Sequence, residues 1–174
     1  MKTIKLSSFI AVGVTAITVY AADTSVTLSK VHLCCNACVK GVGTATAGVT
    51  GAKVTADKDA GTVSITAADK ATAQKAVDAL IAAGYFGASS DADVKVLAKT
   101  GARKEAVKSL EVSGVHLCCG KCVTTVNDAL HGVKGVTGNT AEKNAKAFTV
   151  TGDFSPADVF GALQKAGLTG MAGK

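Results

Sequence analysis

The sequence has no tryptophan, a single proline (Pro156) and only 4% aromatic residues. Large planar side chains can supply little of a core, so Ala, Val and Gly must provide most of its apolar mass. A domain of roughly 65 residues built this way is already marginal on surface-to-volume grounds. No basic run stands out, and no basic stripe is interleaved with aromatics, which argues against nucleic-acid binding. The net charge of +6, or +4 without Lys2 and Lys5, reads as ordinary solubility. There is no Ser/His/Asp set, no pair of carboxylates placed for acid–base work and no phosphate loop. No catalytic residue is expected, and the chain reads as a non-enzyme. Cysteine is absent from all but two short stretches.

Those two stretches are copies of each other. Val31-His32-Leu33-Cys34-Cys35-Asn36-Ala37-Cys38-Val39 is matched by Val115-His116-Leu117-Cys118-Cys119-Gly120-Lys121-Cys122-Val123, and together they hold all 6 cysteines. Cys35 and Cys119 lie 84 positions apart, the span of one small domain. Further on, Ala79-Leu80-Ile81-Ala82-Ala83-Gly84 matches Ala162-Leu163-Gln164-Lys165-Ala166-Gly167 at an offset of 83. Internal duplication is thus supported at both ends of the unit. Thiols confined to two matching clusters serve as local sites rather than as long-range staples.

Residues 1–21 read as a secretory signal peptide. Lys2 and Lys5 give the positive start, Phe9 to Val19 the apolar run, and Val19-Tyr20-Ala21 the small residues that signal peptidase reads. The run is short of the ~20 apolar residues that a spanning helix needs. No cysteine precedes Cys34, so a lipid-modified N-terminal cysteine is not expected. A periplasmic or secreted location is the expectation, without stable membrane insertion after cleavage.

Two β-α-β-β-α-β units are predicted after the leader. In the first, residues 25–90, Ser25 to Val31 is a strand and a helix runs from Cys35 or Asn36 to Thr46 with Cys35, Cys38, Val39, Val42 and Thr46 on one face. Gly41 and Gly43 weaken that helix by about 1 kcal/mol each relative to Ala. Ala52 to Ala56 and Thr62 to Ala67 form a hairpin about a polar turn. Thr72 to Ala83 is a helix ended by Gly84, and Tyr85 to Ser90 a last strand. Residues 91–108 read as a linker. The order repeats over residues 109–172, with a strand at Leu110 to Val115, a helix at Cys119 to Leu130 and a hairpin from Val136 to Thr151. Ser155-Pro156-Ala157-Asp158 then starts a helix, with Ser as N-cap, that stops at Gly167. The fold class expected is α+β: two tandem ferredoxin-like βαββαβ sandwiches after an N-terminal signal peptide.

Cys35-x-x-Cys38 and Cys119-x-x-Cys122 bring two sulfurs together where a loop enters a helix. Free backbone N–H groups and the positive end of the helix dipole favour thiolate there. Thiolates suit soft ions: Cu(I) first, with Zn(II), Cd(II) and Hg(II) also open. Adjacent residues such as Cys34 and Cys35 rarely point the same way, so one loop does not easily close a four-ligand site. An open, low-coordinate site suits transfer of metal better than storage.

On these motifs the chain resembles the heavy-metal-associated domain family, in two tandem copies covering residues 25–90 and 109–172. The family includes copper chaperones, the periplasmic mercury-binding protein and the N-terminal modules of metal-transporting P-type ATPases. Its usual signature is Gly-Met-x-Cys-x-x-Cys. The resemblance places the metal-binding pair on Cys35 and Cys38, and on Cys119 and Cys122. It places the buried Met on Leu33 and Leu117, the variable position on Cys34 and Cys118, and the Gly on His32 and His116. A tyrosine often found beside the site in bacterial members falls on Tyr85; Leu168 takes that place in the second unit. The third cysteine and the histidine depart from copper chaperones and can shift preference toward zinc or cadmium.

Alternatives stand beside several of these residues. The Cys-x-x-Cys pairs could be disulfides in an oxidising compartment, though the odd thiol in each cluster suits that poorly. Cys34 and Cys118 are either third ligands, thiols for passing metal on, or fillers of the loop. His32 and His116 are hydrogen-bonding neighbours or ligands. Tyr85 is a packing residue or tunes the ligands from behind. The functional expectation is a soft-metal chaperone or scavenger with one site per unit, exchanging metal with a metal-transporting membrane protein or a metalloenzyme. The competing class is a thiol-disulfide redox protein, against which stand the missing Trp beside the cysteine pairs and the distance of Pro156 from both. A flexible linker would give each unit an effective concentration of about a millimolar toward the other.

Overall fold

The computed structural model describes residues 23–173; the leader expected over 1–21 lies outside them. Two units follow each other with matching element order. The first comprises β1 (Thr24–Ser29), α1 (Asn36–Thr46), β2 (Ala52–Asp57), β3 (Thr62–Ala67), α2 (Lys70–Ala82) and β4 (Ala88–Ser89). The second comprises β5 (Val107–Ser113), α3 (Gly120–His131), β6 (Val136–Asn139), β7 (Ala147–Phe154), α4 (Pro156–Lys165) and β8 (Met171–Ala172). The sheets order as β2-β3-β1-β4 and β6-β7-β5-β8, and every pairing is antiparallel. This is the ferredoxin-like arrangement, present twice.

Period-two alternation explains the sheets. In β3, Val63, Ile65 and Ala67 are buried while Ser64 and Thr66 face solvent. Val26 and Leu28 of β1 stand opposite Ile65 and Val63, so one face of the sheet is apolar and takes the helices. The helices answer with stripes at three- and four-residue spacing: Cys38, Val42 and Thr46 on α1, and Cys122, Val126 and Leu130 on α3. Asp69 caps α2 by accepting from Thr72 N–H at 2.7 Å. Ser155 precedes α4 as expected, but its hydroxyl makes no capping bond. Pro156, with its preset φ, and Asp158 in the first turn mark that start instead.

Strand ends differ from the sequence expectation where a partner sets them. β4 is only Ala88–Ser89, and β7 continues to Phe154, opposite Val107. The segment between the units is pinned rather than free. Val94 is buried, Lys95 exchanges two hydrogen bonds with the Gln74 side chain of α2, and Lys70 pairs with Asp91 and Asp93. Farther on, Thr100 and Arg103 carbonyls accept from Ala172 and Ala157 of the second unit. The connection therefore runs along both units and restricts how they can sit.

Candidate metal centre

Each cysteine loop is held at both ends before any metal is considered. Leu33 and Leu117 are buried beneath the loops, as expected of the apolar plug. Val31 N–H donates to Gly61 O at 2.9 Å, and Asn144 N–H to Leu117 O at 2.7 Å, so each loop leans on the tip of its own hairpin. Cys35 and Cys119 sit at the helix N-caps in extended conformation. Cys38 and Cys122, one turn in, are fully buried. The paired sulfurs stand 3.8 Å apart in the first unit and 3.7 Å apart in the second. All six cysteines carry free thiols.

The two loops face each other. The turn after the second helix of each unit docks on the cysteine loop of the other unit. Gly84 lies against Gly114 to His116, and Gly167 against Lys30 to His32. Tyr85 and Leu168 bridge across the boundary. Thr169 N–H donates to Gly84 O at 2.9 Å, and Phe86 N–H and His32 N–H donate to Gly167 O at 3.1 and 3.3 Å. Both glycines hold positive φ, +86° and +79°. A Cβ on Gly84 would stand 2.5 Å from Gly114 O, and one on Gly167 2.5 Å from Lys30 O. Only residues without a side chain permit this approach.

Docking brings the six sulfurs into one cluster. Cys34 Sγ lies 3.3 Å from Cys119 Sγ and 3.6 Å from Cys122 Sγ. Cys118 Sγ lies 3.5 Å from Cys38 Sγ and 3.9 Å from Cys35 Sγ. Cys34–Cys38, Cys118–Cys122 and Cys35–Cys119 stand at 3.6, 3.7 and 3.9 Å. Several triplets place their ligand atoms within 4.8 Å of one another, among them Cys35, Cys38 and Cys118. The sequence places one site in each unit; the fold sets both motifs around one shared space.

The histidines behave differently from each other. Tyr85, fully buried, donates its hydroxyl to Cys38 O at 2.8 Å and lies 3.1 Å from His116 Nε2. With the phenol proton committed to the carbonyl, His116 must donate from Nε2. Its ring stacks tilted at 31° on Tyr85 with centroids 4.6 Å apart. In the second unit Leu168 replaces the tyrosine, and buried His32 Nε2 has no hydrogen-bond partner among the described residues. His32 falls in a triplet with Cys34 and Cys122. Burial lowers the pKa of both imidazoles, helped at His116 by the charge of His32, so both favour the neutral, ligand-competent form.

Thiol acidity splits by position. The Cys38 N–H at the helix tip draws the Cys35 thiol below its usual value. Burial opposes ionisation of Cys119, but the Cys122 N–H and the thiols of Cys34, Cys122 and Cys35 win and bring it down to about 6. Burial pushes Cys34, Cys118 and Cys122 upward, as do the thiols around Cys34 and the neighbouring Cys38 at Cys118 and Cys122. Two accessible, acidified thiols at helix tips thus stand in front of more deeply held neighbours that burial keeps protonated. Burial first, and then the surrounding cysteine sulfurs, also keep the Tyr85 phenol protonated.

All nine residues singled out in the sequence, the six cysteines with His32, His116 and Tyr85, meet at this boundary. Sequence reasoning misses Gly41, Gly84 and Gly167 as the residues that make room for it. Gly41 signals itself only as an unexplained glycine inside a helix.

No protein-family model matches the chain, and neither does any curated protein. Among solved structures, the chain is similar to the apo form of the heavy-metal-associated domain of a copper chaperone for superoxide dismutase, at 22% identity and a TM-score of 0.35, over 41% of this chain and 74% of that one. It is also similar to the N-terminal soluble domains of Bacillus subtilis CopA, at 14% identity and a TM-score of 0.34, over 88% of this chain and 95% of that one. Overlays this loose carry no argument about the site, and the chain's own geometry bears the functional reading.

Proposed function

We propose that the protein binds a soft metal ion, Cu(I) before Zn(II), Cd(II) or Hg(II), and acts as a chaperone or scavenger in the periplasm or outside the cell. One observation carries this reading: six free thiols from two units gather with sulfur–sulfur separations of 3.3–3.9 Å. Packing accounts for Cys38 and Cys122 singly but not for six unpaired thiols at that density, and sulfur is the donor that monovalent copper prefers. The leader-like residues 1–21 support export, and no helix among the described residues is long and apolar enough to cross a membrane.

Ligand exchange suits the arrangement. Cys35 and Cys119 are partly exposed thiolate formers, and they offer first contact to an incoming ion. The buried Cys38 and Cys122 then complete the grip. A metal-transporting membrane protein or a metalloenzyme is the partner this chemistry fits, since either presents thiolates of its own. Bound metal also protects thiols that an oxidising compartment would otherwise pair.

The test is thiol counting on anaerobically reduced protein with and without Cu(I) or Zn(II). The expected outcome is protection of all six thiols by Cu(I). If neither metal protects any thiol while the protein reduces insulin disulfides, the redox class replaces this reading.

A further inference from the structure

The short sulfur–sulfur separations are the edges of a trigonal prism. One triangular face is Cys35, Cys38 and Cys118, with edges of 3.8, 3.9 and 3.5 Å. The other is Cys119, Cys122 and Cys34, with edges of 3.7, 3.3 and 3.6 Å. The Cys34–Cys38, Cys118–Cys122 and Cys35–Cys119 separations join the faces. Each face therefore combines the Cys-x-x-Cys pair of one unit with the extra cysteine of the other. Exchanging the units maps one face onto the other.

We infer that the protein holds two composite trigonal sites for a soft monovalent ion, Cys35/Cys38/Cys118 and Cys119/Cys122/Cys34, so that neither unit completes a site alone. This deepens the metal-binding reading and rests on it. Three sulfurs at these separations surround a point roughly 2.2 Å from each, close to the ~2.3 Å that a metal–thiolate bond takes. Cys34 Sγ lies against both sulfurs of the opposite pair, at 3.3 and 3.6 Å, but of its own pair it has only Cys38 this close, at 3.6 Å. Cys118 does the same in return. The extra cysteine in each loop is thereby explained: it is the third ligand of its neighbour's site, not of its own. Three thiolate donors in a plane satisfy Cu(I), whereas a structural zinc wants four ligands.

The test uses the full chain with one site removed. In Cys119→Ala/Cys122→Ala, Cys35, Cys38 and Cys118 remain, with Cys34 as a spectator. Added Cys118→Ala is expected to weaken Cu(I) binding, measured against a bicinchoninate competitor, by about tenfold or more. It should also lower the sulfur coordination seen by X-ray absorption from three to two. Added Cys34→Ala is expected to change neither. The mirror background, Cys35→Ala/Cys38→Ala, should show the reverse dependence. Dependence on Cys34 in the first background, or on neither cysteine, overturns the composite assignment while leaving the metal reading intact. Loss of Cu(I) binding by the parent protein overturns both. Should a background fail to fold, X-ray absorption on the copper-loaded parent still decides: two sulfurs per copper rather than three sinks the proposal.

Discussion

Gly41 and Tyr85 share one space: a Cβ built on Gly41 would stand 2.3 Å from the Tyr85 hydroxyl oxygen and 3.0 Å from a His116 ring carbon. The glycine inside α1 lets a tyrosine from the end of α2 reach under the first cysteine helix and meet the other unit's histidine. Thr125 holds the matching position in α3, where Leu168 stands in for the tyrosine and no hydroxyl needs room.

Two glycines of one helix should therefore respond oppositely to alanine. Gly43 has open space around its missing Cβ, so Gly43→Ala is expected to stabilise the fold by about 0.5–1 kcal/mol through helix propensity. Gly41→Ala gains the same propensity but collides with the Tyr85 hydroxyl, and a net loss is expected. Urea unfolding of the reduced, metal-free protein measures both; a stabilising Gly41→Ala would refute the shared-space account.

Tyr85→Phe removes the hydroxyl that joins Cys38 O to His116 Nε2. The half-buried imidazole donor then has no partner, which costs about 1–3 kcal/mol. The same substitution has no counterpart at Leu168, so the effect should fall on the first unit's side of the boundary. Hydrogen exchange of the α1 amides, faster in Tyr85→Phe than in the parent, locates it; uniform protection in both proteins would count against this role.

Alanine at Gly84 or Gly167 should undock the units. Each position combines positive φ with backbone atoms 2.5 Å from the added Cβ. The conformational part alone is about 1 kcal/mol, and the collision adds to it. Gly101, at φ +69° with nothing within 4 Å, isolates the conformational part. Small-angle scattering is expected to report a wider particle for Gly167→Ala and an unchanged one for Gly101→Ala. Equal profiles for both variants would mean that the docking does not depend on this contact.

Thiol reactivity should track position and pH. Cys119, at about 6, is largely thiolate at pH 7, with Cys35 next. Cys34, Cys118 and Cys122 remain protonated. Limiting iodoacetamide at pH 7 should label Cys119 first in the folded, metal-free protein, and mass mapping of the peptides checks the order. A lowered Cys119 contributes stability above its unfolded value near 9, and that contribution is lost as pH falls through about 6. The three raised thiols act the other way: above the unfolded value the unfolded chain ionises them and the fold loses ground. Metal-free stability should thus decline in alkali, while metal affinity climbs with pH because ligation displaces those protons.

Much of the fold is legible in the sequence because it is local. The alternation of Val63, Ile65 and Ala67 and the helical stripe of Cys38, Val42 and Thr46 mark their elements within a few residues. The duplicated motif marks the repeat. Ends set by a partner are not legible. β7 extends to Phe154 because Val107 pairs with it, and Val107 itself reads from sequence as linker. Ser155 is the right residue type for a cap, yet its hydroxyl makes no such bond. The connecting segment reads as flexible by composition, but Gln74, on a helix more than twenty residues earlier, holds Lys95 in place.

At the cysteines the division is sharper. Spacing alone determined that Cys35 meets Cys38 and Cys119 meets Cys122, because three residues at a helix start fix that geometry. It also determined that both loops carry an extra thiol and a histidine. Only the tertiary structure decided that Cys34 faces Cys119, 85 positions away, and that His116 finds Tyr85 while His32 Nε2 finds no partner among the described residues. Those pairings depend on how two surfaces dock, which rests on the close approach that Gly84 and Gly167 allow, and no periodicity along the chain encodes the fit of one surface to another.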